Sequence, residues 1–458
     1  MFRFQPVYLF LIFFLAIAGC GGGSSGGGNN NGGGDAGGGD AGGGDAGGGD
    51  NGGGGGGTSD APNILLVIVD DVGLDPVPLY TAGASKATMP NLEALALAGV
   101  TFANAWSSPV CSPTRATILT GLHGIQTGVL SPGDPISLNE TSLQSFIEAN
   151  SPNNYASAVF GKWHLSNNSN GGADNPELMG ISHFSGILGG GVGNYFSWLW
   201  TENGEQEQID EYVTTKITDF AVEWINQQSS PWFAWVAYNA PHTPFHLPPA
   251  DMHSQNGLTG ADLNTNPLPY YLAMLETVDH ELGRFEEEIP PEQWSNTFVI
   301  FVGDNGTPNQ VSQDPFDPVG AKGSLYQGGV NVPLVIAGPG IVEASSLKTE
   351  LVGTVDLFAT IAELTGIAEP NQETSISFAP TLFGLAFDDR DLLYSDNANG
   401  YTVRNSQYKL VSFNSGAQEL YDLTIDPFEG DDLIEDQISA EHALVIQTLE
   451  DYADTIRP

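Results

Sequence analysis

The segment Asn63–Val69 reads NILLVIV, an unbroken apolar run rich in β-branched residues that follows Pro62. A short run without polar alternation predicts a strand buried on both faces, as in a parallel sheet. Tyr155–Phe160, Trp232–Tyr238 and Thr297–Val302 carry the same pattern. Each run discharges into polar residues: Asp70-Asp71, Gly161-Lys162-Trp163-His164, Asn239-Ala240-Pro241-His242 and Gly303-Asp304-Asn305-Gly306. Between them the apolar spacing turns helical. Pro90–Ala98 has proline at its first position and Gly99 as a stop, and Tyr212–Asn226 and Tyr270–Glu287 keep one apolar face. Strands alternating with helices predict an α/β fold: a large, mostly parallel or mixed sheet sandwiched by helices. Ligands in such sheets bind outside the carboxyl ends of the strands, where these polar clusters fall.

Beyond about residue 370 the texture changes. Tyr401–Phe413 alternates as one strand, Glu419–Leu423 offers it a partner, and Ser439–Thr455 has helical spacing. We expect a catalytic domain over 60–370 and a smaller C-terminal α+β subdomain over 371–458.

The N-terminal region is of another kind. Arg3 and the apolar stretch Val7–Ala18 suit a signal peptide over 1–19, too short for a comfortable membrane span. It ends Ile17-Ala18-Gly19-Cys20, which resembles a bacterial lipobox, so Cys20 is expected to carry lipid and anchor the chain to a membrane. Residue 21 is glycine rather than the aspartate associated with inner-membrane retention, so the expected location is the outer membrane, facing periplasm or surface. From 20 to 59 the sequence is almost entirely Gly, Ser, Asn, Asp and Ala, a flexible tether with nothing to bury.

Charge narrows the partners. The chain has 55 acids, 12 bases and a formal net charge of −43, which excludes nucleic acid as a partner and suits salty surroundings. Against that background each base invites a reason, and Arg115, Lys162 and Lys322 stand beside glycines, histidines or the second cysteine, Cys111. Asp70, Asp71, Asp304 and Asn305 supply only oxygen ligands. Adjacent carboxylates at buried strand ends are costly without a cation, and a many-oxygen set suits calcium first and magnesium second. Pro113 is expected to open a helix to Leu119, stopped by Gly121, with Cys111 at its positive end.

Cys111-Ser112-Pro113-Thr114-Arg115, with Thr120-Gly121, resembles the signature of the formylglycine-dependent sulfatases of the alkaline phosphatase superfamily. Asp70-Asp71, Gly161–Leu165, Pro241-His242, Asp304–Gly306, Lys322–Gly329, Asp356 and Leu420–Asp422 are similar to that family in order, across residues 60–455. The resemblance implies a sulfuric ester hydrolase. A formylglycine-generating or anaerobic sulfatase-maturating enzyme would oxidise Cys111 to an aldehyde, whose hydrate would attack sulfur. Asp70, Asp71, Asp304 and Asn305, with the modified Cys111, would hold one Ca²⁺. Arg115 and Lys162 would position the hydrate, His164 would take the proton that releases sulfate, and His242 and Lys322 would bind the sulfate ester, one of them protonating the leaving oxygen. The expected substrate is a sulfated carbohydrate. Small aryl sulfates, a phosphonate or phosphodiester, and a surface-anchored anion-binding protein with unmodified Cys111 are the alternatives. One departure is visible: the family often has Glu-Gly-Gly-x-Arg where this chain has Gln327-Gly328-Gly329-Val330-Asn331. His123, His183 and His246 are candidates for shaping the pocket, and Gly189–Gly193 for a mobile loop beside it.

Overall fold

The computed structural model describes residues 61–316, 320–385, 390–434 and 438–457. The expected signal peptide, lipid-anchor cysteine and tether lie outside the described residues. Residues 57–458 form one compact unit.

Ten strands make the main sheet: β1 (Asn63–Val69), β2 (Val100–Trp106), β3 (Ala156–Lys162), β4 (Phe184–Ile187), β5 (Trp198–Glu202), β6 (Glu205–Ile209), β7 (Trp232–Tyr238), β8 (Thr297–Gly303), β9 (Leu334–Ala337) and β10 (Ser346–Gly353). Their order is β10-β2-β9-β8-β1-β7-β3-β4-β5-β6. β8, β1, β7, β3 and β4 are mutually parallel, β9 runs antiparallel between β8 and β2, and β4, β5 and β6 pair antiparallel. The sheet is therefore mixed around a parallel centre.

That centre explains the continuous apolar runs. Leu65, Val67 and Val69 of β1 enter one core, with Leu92 of helix Pro90–Ala98, Ile217 of helix Val213–Asn226 and Leu275 of helix Leu268–Glu288. Ile64, Leu66 and Ile68 enter the other, with Ile118 of helix Cys111–Thr120, Ile147 of helix Leu143–Asn150 and Phe358 of helix Asp356–Leu364. Side chains alternate across the sheet, so a strand covered on both faces needs apolar residues at every position.

The C-terminal part contains a second, antiparallel sheet of four strands, β11 (Leu393–Asn397), β12 (Gly400–Arg404), β13 (Tyr408–Phe413) and β14 (Gln418–Asp422), in sequential order. Val403, Leu410 and Leu420 pack on Ile446, Leu449 and Ala453 of helix Ala440–Ile456. The predicted single strand Tyr401–Phe413 is a hairpin. The Asn405 side-chain oxygen accepts from the backbone N–H of Gln407 (2.8 Å) and Tyr408 (2.6 Å), an Asx-type turn that reverses the chain while period-two alternation continues on both sides. The sheet is tied to the main body where Ser395 Oγ donates to Ser107 O (2.8 Å) and Asn397 Nδ2 to Gly323 O (3.1 Å).

Candidate active site

The helix carrying Cys111 begins earlier than Pro113. It spans Cys111–Thr120, with extended Val110 as N-cap and left-handed Gly121 (φ 71°) closing it through a hydrogen bond to Thr117 O. Proline sits comfortably at the third position, because the first-turn N–H groups have no partner inside a helix. Cys111 is therefore the first helical residue, buried at 1 % exposure at the positive helix end. Arg115 follows one turn later on the same face.

The strand ends deliver the rest. Asp70 and Asp71 follow β1, Asp304 and Asn305 follow adjacent β8, His242 follows β7 and Lys162 ends β3. Asp71 (φ 66°) and His164 (φ 60°) both hold left-handed backbone conformations, a strain that accumulates at functional sites. Arg115 Nη2 bonds Asp304 Oδ2 (2.8 Å) and its Nη1 donates to Lys162 O (2.9 Å). Lys162 Nζ bonds Asp70 Oδ2 (2.6 Å). Lys322 Nζ contacts Asp71 Oδ1, which also accepts from Asn305 Nδ2 (2.8 Å). His242 Nε2 lies 3.8 Å from Asp71 Oδ2, and its Nδ1 lies 2.7 Å from Thr243 O. All ten predicted site residues are gathered at one end of the sheet: Cys111 through its proximity to Asp70 and Asp71, and His164 by its place beyond Lys162.

The oxygen cluster fits a cation. Ligand atoms of Asp70, Asp71 and Cys111 lie within 4.8 Å of one another. Asp70 Oδ1 and Asn305 Oδ1 are buried acceptors with no hydrogen-bond partner, an arrangement that is costly unless a cation meets them. Burial pushes the Asp70 carboxyl up to about 6 despite Lys162 beside it. Burial acts the same way on Asp71, but Lys322, His242 and Lys162 outweigh it and hold this carboxyl below its ordinary value. Burial raises the Cys111 thiol to about 11. Burial, then Lys162 and Arg115, lower His164 to about 2, so its imidazole is neutral.

Other residues hold this arrangement, and the sequence reading did not name them. Ser112 Oγ donates to His164 O (2.8 Å) and accepts from Gly133 N (2.9 Å). Tyr271 OH donates to Asp71 O (2.8 Å). Tyr195 OH reaches both Asn239 O (2.8 Å) and His242 O (2.6 Å). A backbone carbonyl as partner leaves no pairing signal in the sequence. The glycine-rich segment lies against the histidines: a Cβ at Gly190 would stand 2.3 Å from His164 Nε2, and one at Gly191 would stand 3.4 Å from His242. Gln327 Oε1 accepts from the Trp106 indole N–H (3.0 Å) and Asn331 Nδ2 donates to Ala103 O (3.1 Å), so both bind β2.

His123 stands outside the cluster. It caps the short helix Gly124–Thr127 and meets Tyr394 edge-on at 4.9 Å. His183 stacks on Trp224. His246 lies 4.2 Å from the Tyr195 ring, joined through it to His242.

A family model described as Sulfatase matches residues 62–367, more than half of the chain. The chain belongs to the sulfatase family. It is an enzyme, a sulfuric ester hydrolase. A second model, described as N-sulphoglucosamine sulphohydrolase, C-terminal, matches residues 320–455 of this sulfatase. Curated relatives include the uncharacterized sulfatase YdeN of Escherichia coli, 26% identical with 80% of this chain and 81% of that protein covered. N-acetylgalactosamine-6-sulfatase of Canis lupus familiaris is 26% identical, with 77% and 72% covered. Among solved structures, one crystallised with k-i-k-neocarrahexaose has a TM-score of 0.72 at 24% identity, covering 86% of this sulfatase and 92% of that chain. A phosphonate monoester hydrolase of Agrobacterium radiobacter has a TM-score of 0.64 at 21% identity, covering 86% and 95%. These two likenesses are of fold.

Proposed function

We propose that this sulfatase releases inorganic sulfate from a sulfated carbohydrate, using formylglycine made from Cys111 and one Ca²⁺, with Mg²⁺ as the second choice of ion. The observation that carries the reading is the pair of buried, orphaned oxygens, Asp70 Oδ1 and Asn305 Oδ1, at the ends of paired strands, with Asp70 and Asp71 close to Cys111 at a helix start. Asp70, Asp71, Asp304, Asn305 and the modified Cys111 would hold the ion, which would supply Lewis-acid polarisation of the ester. The unmodified thiol is a poor candidate nucleophile, since burial keeps it protonated at neutral pH. A hydrated aldehyde at this position supplies one hydroxyl for attack at sulfur and a second whose deprotonation frees sulfate.

The chain's own groups divide the remaining work. Arg115 and Lys162 fix the buried carboxylates and offset their charge. His164, with Nδ1 buried and unpartnered, is the acceptor for the proton lost on sulfate release. Lys322 and His242 lie on the accessible side, placed to bind the ester oxygens and return a proton to the leaving alcohol. Carbohydrate as the substrate class is supported by relatives named for N-acetylgalactosamine-6-sulfatase activity. A lipid anchor at Cys20 and an outer-membrane location belong to the same proposal, and labelling with a radioactive fatty acid, lost in Cys20→Ala, tests them.

Mass spectrometry of the tryptic peptide Ala87–Arg115 from the native host tests the modification: an aldehyde in place of the thiol is expected. An unmodified cysteine in active native protein would overturn the mechanism. Sulfate release from sulfated saccharides, compared with hydrolysis of a phosphodiester and of p-nitrophenyl sulfate, tests the reaction. A dominant phosphodiesterase rate would sink it.

A further inference from the structure

The loop that brings Gly190 and Gly191 against His164 and His242 continues into an aromatic cluster. Tyr195 is buried and donates its hydroxyl to His242 O. Next to it Phe196 is 41 % exposed. Phe196 packs on Tyr212 (5.0 Å between ring centres, 32° apart) and meets His246 edge-on (5.6 Å). His246 is pinned between the Tyr195 ring and the Tyr212 hydroxyl, 3.1 Å from its Nε2. Behind Phe196 the rings are fixed, and the cluster, open on the Phe196 side, is joined to His242 through the Tyr195 hydroxyl.

Neither His246 nor Lys216 offers this cluster a free positive charge. His246 is lowered by burial to about 4, so it is neutral under ordinary conditions. Lys216, one turn beyond Tyr212, is taken by Glu211 (3.6 Å) and Asp219 (3.2 Å). Asp210 lies close to the loop, accepting from Ser197 Oγ (2.6 Å). A second sulfate on a substrate resting here would meet carboxylates and aromatic faces.

We propose that Phe196, backed by His246 and Tyr212, is the platform on which the sugar bearing the reacting sulfate stacks, and that this sugar carries no second charged group on that side. The proposal rests on the carbohydrate reading above. An aromatic face offers a pyranose ring its apolar C–H surface and contributes affinity without charge. Phe196 is a specificity-determining residue and takes no part in bond making.

The test uses matured full-length enzyme and a panel of O-monosulfated hexose and N-acetylhexosamine disaccharides with their disulfated counterparts. Phe196→Ala is expected to raise KM for the preferred monosulfated substrate about five- to tenfold with kcat unchanged, and Phe196→Trp to restore it. Wild type is expected to prefer monosulfated over disulfated substrate by about fivefold or more at low salt, the gap narrowing as salt screens the repulsion. An unchanged KM in Phe196→Ala, or a preference for the disulfated sugars, would overturn the platform while leaving the carbohydrate reading intact. Failure of wild type to desulfate any saccharide, with p-nitrophenyl sulfate still hydrolysed, would overturn both.

Discussion

The two halves of the site differ in their access to water, and the difference assigns their work. In the inner half, the side chains of Asp70, Lys162, Arg115 and Asp304 are all 0 % exposed and paired with one another. In the outer half, Lys322 is 20 % and His242 22 % exposed, both turned toward Asp71. A sealed set of paired charges cannot exchange partners cheaply, so it suits a permanent role in holding the proposed metal and the proposed modified residue. Partly solvated groups such as these can release a carboxylate and take a sulfate oxygen instead. Asp71, at 3 % exposure, is the hinge between the halves, sharing Oδ1 with Asn305 and Lys322.

Breaking the inner half should do the most damage. Asp304→Ala removes an expected metal ligand and leaves the Arg115 charge buried without its partner. We expect kcat/KM to fall by at least about 10³-fold, with loss of bound metal and a lower melting temperature. Metal content by plasma emission spectrometry and thermal unfolding check this, and retained metal would remove Asp304 from the ligand set. The outer half should behave differently. Lys322→Ala is expected to cost about 10²- to 10³-fold in kcat/KM while metal content and melting temperature stay near wild type. Loss of metal in that variant would erase the division between the halves.

A subtler probe addresses the seam. In Gly190→Ala the new methyl would press on His164 Nε2, whereas the nearest atom to a Cβ at Gly189 is Gly191 O at 3.9 Å. We expect Gly190→Ala to lower kcat about 10- to 100-fold and Gly189→Ala to leave it nearly unchanged, measured by steady-state kinetics. Equal rates in the two would mean that His164 needs no fixed position.

The smallest expected effect sharpens the contrast between buried catalytic groups and a buried structural one. Burial, with Arg390 nearby, lowers His123 to about 3. The unfolded imidazole gains a proton near its ordinary value of 6.5 that the folded one refuses, so this residue's contribution is full above that pH and is lost as pH falls toward 3. His123→Gln should therefore lose less melting temperature than wild type between pH 7 and 4, with activity at pH 7 preserved. Parallel melting curves would show that His123 does not titrate with unfolding.

Much of this molecule is legible along the chain. The four central strands are nearly as predicted because each is buried on both faces, which forces a continuous apolar run. The polar residues that follow are visible because the change in character is abrupt. Other strands were not named: β9, inside the sheet between β8 and β2, has only four residues, and β5 and β6 mix polar with apolar positions toward the sheet edge. The start of the helix at Cys111 was displaced because Pro113 is equally at home at the first or third position.

The sequence by itself determined the α/β class, the chemistry of the ten site residues and their order, because buried strands and charged groups in an acidic chain each leave a local mark. Only the tertiary structure decided which charges pair. Arg115 with Asp304 and Lys162 with Asp70 join residues 189 and 92 positions apart. It also decided that the glycine-rich loop abuts both histidines, that Asn397 holds the backbone beside Lys322, and that Phe196 packs on Tyr212 and His246 with one side exposed. These contacts depend on where the chain crosses itself, and a backbone carbonyl or a glycine that makes room leaves no periodicity to read.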